Sequence, residues 1–308
     1  MKILFSAPES DWADYRDLLP SALARAGIEA EVVREAAPET VDYIVYAPND
    51  ALRDFTPFSR ARAVLSLWAG VERIVGNATL TQPLTRMVDA GLERGMVEYV
   101  TGHVLRHHLG LDAHVVNPEQ DWDPSPPPLA ADRPVTMLGL GALGRACAQA
   151  LAGLGFPVTG WSRTQKDIAG LRCLSGEEGL SEALEGAQIV VTLLPLTSET
   201  ENLLAAARLA LPARGAALIN PGRGPLIDDA ALLAALDEGR IGHATLDVFR
   251  TEPLPRDHPY WHHPRVTVTP HVASATRPAT AARVIVENIR RAEAGEPLLH
   301  LVDRARGY

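Results

Sequence analysis

Lysine is nearly missing from this chain. Lys2 and Lys166 are the only two in 308 residues, and arginine carries the remaining positive charge. With 38 acidic residues against 29 basic ones the formal net charge is −9, which excludes a general affinity for nucleic acid. Cysteine is equally scarce: Cys147 and Cys173 are too few and too isolated for a disulfide framework or a zinc site. That points to a reduced, cytoplasmic setting, with Cys147 as a small core residue. No apolar run reaches the ~20 residues of a membrane span, and Met1–Ser6 reads as a strand rather than a targeting segment. No serine or cysteine stands in a nucleophile-elbow context, so hydrolase chemistry has no support.

What is present is more pointed. The run Val135–Leu138 reads as a short buried strand, Gly139-Leu140-Gly141-Ala142-Leu143-Gly144 follows it, and an Ala-rich helical stretch comes next. In that setting the first glycine allows the tight turn and the second admits a pyrophosphate to the bare backbone. The third lets the helix pack close to the strand, so that its N-terminal N–H groups face the phosphates.

The first hundred residues alternate strand and helix: strands at 2–6, 29–33, 41–47 and 63–67, with a helix over Asp11–Ala26. A long helix is expected over Gly95–His114, and the Pro- and Asp-rich stretch Asn117–Pro134 as an irregular arm. Six further strands follow, at 135–138, 158–161, 189–193, 217–219, 243–248 and 266–269, and a last helix runs over Ala279–Ala294. The expected class is α/β, with two Rossmann-like domains, doubly wound parallel sheets and an interdomain active-site cleft. Residues 1–98 and 279–308 would form a discontinuous substrate domain, and 99–278 the dinucleotide-binding domain.

Two groups of polar residues follow buried strands of the second series. The first, Ser162-Arg163-Thr164-Gln165-Lys166, stands where an NAD enzyme places Asp or Glu for the ribose 2′-OH. Hydroxyls, a guanidinium and an ammonium suit a 2′-phosphate instead, so NADPH is expected over NADH. The second is a trio, Arg223 in NPGRG, Glu252 in LDVFRTEPLP and His271 in TPHVA. Each projects from the carboxyl end of a parallel strand, where open α/β sheets bind ligands.

The glycine fingerprint, NPGRG, the LDVF–TEPLP segment and the Pro-His pair together resemble the D-2-hydroxyacid dehydrogenase family. Within it the chain is most similar to the glyoxylate/hydroxypyruvate reductase (type A-like) branch, from the Trp68-Ala69-Gly70 loop to Thr276-Arg277-Pro278. The resemblance implies that Arg223 clamps the substrate carboxylate and polarises the keto oxygen. His271 would protonate the developing alkoxide, and Glu252 would orient the imidazole. Backbone N–H groups around Ala69 and Gly70 would take up the carboxylate beside Trp68. Asp247 would face the nicotinamide carboxamide, with Leu194, Pro195 and Thr197 lining the cofactor path. A homodimer is implied, with the 95–114 helix and the loop after it in contact.

Three departures stand out. Asn220-Pro221-Gly222 precedes the arginine where a small or aliphatic residue and then Ala are usual, so that Pro221 stiffens the turn and Gly222 frees it. Tyr46 stands where Trp is frequent in this branch, at a site expected to shape the substrate pocket. Arg277 either adds a second positive contact or starts a helix. His103, His107 and His108 have a spacing that could bind metal but no third ligand of matching pattern, and are expected on a solvated or dimer-facing surface. His258, His262 and His263 read with Trp261 as lid or interface packing. The expected function is NADPH-dependent reduction of small 2-keto acids. The alternatives are another substrate or hydride donor in the same fold, such as formate or phosphite, and a nucleotide-sensing binding protein.

Overall fold

The computed structural model describes residues 1–308. The chain divides into two compact units, Met1–Leu92 with Ala275–Tyr308, and Glu93–Ser274. The sequence places these limits at 98/99 and 278/279.

In the first unit β1 (Lys2–Ser6), β2 (Glu31–Val33), β3 (Tyr43–Tyr46), β4 (Val64–Ser66) and β5 (Leu84–Thr85) form a parallel sheet ordered β2-β1-β3-β4-β5. β1 and β3 pair with Ile3 opposite Tyr43 and Leu4 opposite Ile44. Ile3, Phe5, Tyr43 and Val45 enter one core cluster, while Leu4, Ile44 and Tyr46 enter another. Burial on both faces is why these strands read as continuous apolar runs. The helix Pro278–Ala294 joins the first of these clusters through Ala281, Ala282, Ile285 and Ile289. It opens on proline, whose missing N–H costs nothing at that position, and stops at Gly295 in the left-handed region.

The helix expected over Asp11–Ala26 is in fact two, Glu9–Tyr15 and Leu18–Arg25. Pro20 has no N–H for the carbonyl of Arg16, and its ring crowds that carbonyl, so the helix restarts. The short β5 was not anticipated.

In the second unit β6 (Val135–Leu138), β7 (Val158–Trp161), β8 (Arg172–Leu174), β9 (Ile189–Thr192), β10 (Ala216–Asn220), β11 (Ile241–Leu246) and β12 (Val266–Val268) form a second parallel sheet. Its order is β12-β11-β10-β9-β6-β7-β8. Counted from the glycine-bearing strand this is the dinucleotide-binding order 3-2-1-4-5-6 with one strand added, and the order reverses between β6 and β9. The sheet has seven strands rather than the expected six. β8 escapes a hydrophobicity reading because it is three residues long, lies at an edge and opens on an exposed arginine.

The long helix runs over Ala90–Leu109 rather than Gly95–His114, and a short one, Leu111–Val115, follows. The carboxylate of Asp89 accepts the N–H groups of Gly91 (2.9 Å) and Leu92 (3.2 Å), which moves the start forward. Gly110, at φ +64°, breaks the helix at the other end. No helix is long and apolar enough to cross a membrane.

Candidate active site

The three glycines after β6 have different reasons to be glycine. Gly139 sits at φ +108°, and a Cβ there would lie 2.5 Å from the carbonyl oxygen of Leu193. A Cβ on Gly144 would fall 1.8 Å from the carbonyl oxygen of Gly139. Gly141 has an ordinary φ of −69°, and nothing lies within 4 Å of where its Cβ would stand. Packing thus demands the outer two, while the middle one leaves bare backbone open beside the start of helix Ala142–Gly153. That helix has no side-chain cap and no acidic residue in its first turn, so the amides of Ala142 and Leu143 carry its positive end. This donor set fits a pyrophosphate.

At the exit of β7, Ser162 is buried and donates to the Thr164 carbonyl (2.8 Å). Gln165 reaches the Cys173 carbonyl (2.9 Å) and so ties the loop to β8. Thr164 and Lys166 are exposed, and Arg163 forms an ion pair with Glu199 at 3.6 Å. Glu199 belongs to the turn after β9. There Thr200 Oγ1 donates to the Pro195 carbonyl and accepts the Thr197 N–H, next to the nearly buried Leu194. The loop expected to meet the 2′-phosphate and the loop expected to line the cofactor path therefore meet through this ion pair.

Neighbouring strands β10, β11 and β12 lead into the three polar groups of the trio. Arg223 follows β10, and its Nη1 donates to the Gly222 carbonyl (2.7 Å). Expected from sequence to free this turn, Gly222 is instead closely packed. It lets the chain lie against β9, since a Cβ would be 2.8 Å from the Thr192 carbonyl oxygen. The next residue, Gly224, lies on the backbone of Phe249, where a Cβ would come within 2.1 Å of the carbonyl carbon.

Glu252 and His271 are brought together. Nδ1 of His271 stands 2.7 Å from Oε2 of Glu252, and the other oxygen, Oε1, accepts the Phe249 N–H at 2.9 Å. Both carboxylate oxygens are thereby fixed, and Nε2 is the imidazole's remaining polar atom. Its backbone takes φ +54°, costly for a residue with a side chain and held here by N–H donation to the carbonyls of Asp247 (2.9 Å) and Thr269 (3.0 Å). Asp247 is fully buried. Its Oδ1 accepts from Val272 N (2.9 Å) and Thr269 Oγ1 (2.6 Å), and its Oδ2 from Ala273 N (2.9 Å). Thr269 is in turn bonded to the hydroxyl of Tyr99 at 2.7 Å. Expected beside the nicotinamide, Asp247 has these three bonds to the segment carrying His271. Sequence reasoning did not foresee this network, or the role of Asn220 described below. An amide closing the apolar strand AALIN is the signal that was available.

In the first unit, Ser66 brackets Trp68 by donating to its carbonyl and accepting its N–H, both at 3.1 Å. Ala69 and Gly70 follow, partly exposed. Tyr46 is a core residue, 5 % exposed, edge-on to Phe55 with ring centres 5.5 Å apart. Arg277 sits at the N-cap of the last helix, with its stem against Gly91 and no side-chain cap bond.

His103, His107 and His108 are not on a solvated surface. His107 bonds Thr245 at 2.9 Å, and its ring centre is 5.1 Å from that of His243, which bonds Thr267 at 2.8 Å. His103 lies on Tyr99, and His108 is buried against Phe156. Burial, with His243 and Arg106 beside it, pushes His107 down to about 3, and burial lowers His103 and His243 as well. Of the other cluster, His258 Nδ1 accepts the Tyr260 N–H, and Trp261 donates to the Pro255 carbonyl.

Comparison with known proteins agrees with this geometry. The NAD binding domain of the D-isomer specific 2-hydroxyacid dehydrogenases matches residues 102–273. A glyoxylate/hydroxypyruvate reductase A of Serratia proteamaculans is 36 % identical over the full length of both chains. A D-isomer specific 2-hydroxyacid dehydrogenase of Xanthobacter autotrophicus Py2, solved with NADPH and MES, is 42 % identical with a TM-score of 0.91 over 99 % of each chain. An NADPH-dependent glyoxylate/hydroxypyruvate reductase of Sinorhizobium meliloti, solved with NADP and sulfate, is 33 % identical with a TM-score of 0.85, covering 100 % of this chain and 99 % of that one. The glycine loop, the strand order and these full-length similarities make this chain a member of the D-isomer specific 2-hydroxyacid dehydrogenase family, an NAD(P)-dependent oxidoreductase acting on CH–OH groups.

Proposed function

We propose that the chain reduces small 2-keto acids, glyoxylate and hydroxypyruvate first among them, to 2-hydroxy acids with NADPH in the cytoplasm. The carrying observation is the His271–Glu252 pair at 2.7 Å, on the same sheet edge as Arg223. Arg223 binds the substrate carboxylate in a fork geometry and draws electron density from the keto oxygen, with the Ala69 and Gly70 amides as further donors. The bound nicotinamide supplies a hydride to the carbonyl carbon. His271 gives its Nε2 proton to the oxygen, and Glu252 keeps the ring oriented while balancing its positive charge. Arg163, Ser162, Thr164 and Lys166 favour the 2′-phosphate of NADPH, a preference supported by the NADPH-bound and NADP-bound relatives.

Loss of NADPH absorbance with a panel of keto acids tests this. Cofactor binding with no consumption on any of them overturns turnover as the function. We also propose a homodimer through the 109–129 segment, where Val115, Val116, Trp122 and Leu129 are 80, 72, 94 and 74 % exposed. Large apolar side chains left this exposed along one segment support its being covered by a second copy. Trp122→Asp is expected to yield monomers in sedimentation; an unchanged mass removes this assignment.

A further inference from the structure

We infer that Asn220 is a positioning residue for Arg223, an inference that rests on the substrate-binding role proposed for that arginine. Asn220 is the last residue of β10 and is 1 % exposed. Its Oδ1 accepts from Thr192 Oγ1 at 2.6 Å and from the Gly222 N–H at 3.1 Å, and its Nδ2 donates to the Arg223 carbonyl at 2.9 Å. One carboxamide thus holds both ends of the turn that presents the guanidinium and ties that turn to the neighbouring strand. The guanidinium itself rests on the carbonyl of Gly222, whose own N–H Asn220 holds.

The required chemistry is narrow. The position asks for an acceptor facing two donors and, on the same carbon, a donor facing a carbonyl; asparagine offers both at every pH, whereas an acid of the same length offers the donor only when protonated. Aspartate keeps the acceptor but sets a second oxygen against the Arg223 carbonyl, in a place with little water to screen it. Thr192 closes β9, from which the Leu194–Thr197 segment departs. Asn220 therefore references the arginine to the strand that also supports the cofactor-facing loop. The dihedral freedom that a Pro-Gly turn would otherwise have is removed by these three bonds.

The test is a cycle of Asn220→Asp and Arg223→Ala, read by kcat/KM for glyoxylate, with the Kd for NADPH measured alongside. Asn220→Asp is expected to lower kcat/KM by about 10–100-fold and leave the NADPH Kd within about 2-fold. In the Arg223→Ala background the same change is expected to cost less than about 2-fold, because the group being positioned is gone. Equal losses in both backgrounds, or a parallel loss of NADPH affinity, would mean a general structural role and overturn the inference. Thr192→Val removes one donor to Oδ1 and is expected to show the same pattern at about 3–10-fold, restored by Thr192→Ser. That pair decides the matter should Asn220→Asp not fold. If Arg223→Ala itself keeps wild-type kcat/KM, the proposed function fails; if it does not, and Asn220→Asp does, only this inference fails.

Discussion

Replacing Gly141 and Gly144 separately by alanine should split cofactor binding from stability, although both belong to one six-residue motif. At Gly144 the new Cβ would meet the Gly139 carbonyl oxygen at 1.8 Å, where ordinary contact begins at 3.4 Å. The helix would have to leave the strand by about 1.6 Å, with backbone on both sides of the contact, so the cost lies at or beyond the ~3 kcal/mol upper range for overpacking. For a domain of this size that is a fall in Tm of about 6–12 °C. At Gly141 the φ of −69° suits alanine and the Cβ meets nothing. Losing glycine at the N-cap costs up to ~1 kcal/mol, and the stiffer unfolded chain returns ~0.4–1 kcal/mol, so Tm should hardly move. The methyl group would occupy the face open to a pyrophosphate, at ~1–3 kcal/mol, or about 5–150-fold in the Kd for NADPH. Thermal melting without cofactor and fluorescence titration with NADPH measure the two effects. A Gly141→Ala protein that binds NADPH normally would refute the backbone-approach argument; a Gly144→Ala protein that melts like wild type would refute the packing argument.

His271→Ala should lower kcat by about 10²–10⁴ with NADPH binding intact, and steady-state kinetics would show it. Glu252→Gln should lower kcat by only about 3–10-fold, since the pair is half open to solvent and its charge correspondingly screened; no change at all would remove Glu252 from the mechanism. Arg163→Ala should shift the ratio of kcat/KM for NADPH over NADH toward NADH by about 10-fold or more, and a constant ratio would dismiss the 2′-phosphate assignment. Acid should destabilise the second unit. His107 stays neutral in the fold down to about 3, whereas unfolding restores its ordinary 6.5, so its contribution is whole above 6.5 and is lost as pH falls toward 3. Between about pH 7 and pH 5 the loss is ~1–2 kcal/mol after allowing for residual solvent, with His103 and His243 acting in the same direction. Urea midpoints at the two pH values should fall less for His107→Gln than for wild type, and equal falls would contradict this.

Of the strands carrying the trio, β10 was legible because burial on both faces leaves an apolar run, Ala-Ala-Leu-Ile, whereas β11 and β12 mix His243, Thr245 and Thr267 with their apolar residues and were legible mainly from Gly, Pro, Arg and His in the segments where the strands end. The Gly139–Gly144 motif was legible for a local reason: its turn, its close contact and its open backbone fall within six residues. Helix limits were less so. Pro20 divides a helix that periodicity alone continues, and Asp89 extends another by capping it earlier than its apolar pattern starts. His107 was expected on a solvated or dimer-facing surface, yet the helix Ala90–Leu109 meets the sheet partly through imidazoles and threonine hydroxyls, His107 on Thr245 beside His243 on Thr267, rather than through an apolar stripe. Such a polar seam has the composition of a surface. The bond from Thr192 to Asn220 spans 28 residues and that from Glu252 to His271 spans 19, so neither pairing exists before the strands are laid side by side.

Gly224 lies directly on the main chain of Phe249, whose N–H in turn holds Glu252. The arm carrying Arg223 and the arm carrying Glu252 are consequently held to one another through peptide atoms, and on the function proposed above that contact sets the gauge between carboxylate and proton donor. Evolution or an engineer seeking a bulkier substrate would find that gauge almost unadjustable, and would have to gain room by trimming side chains around it.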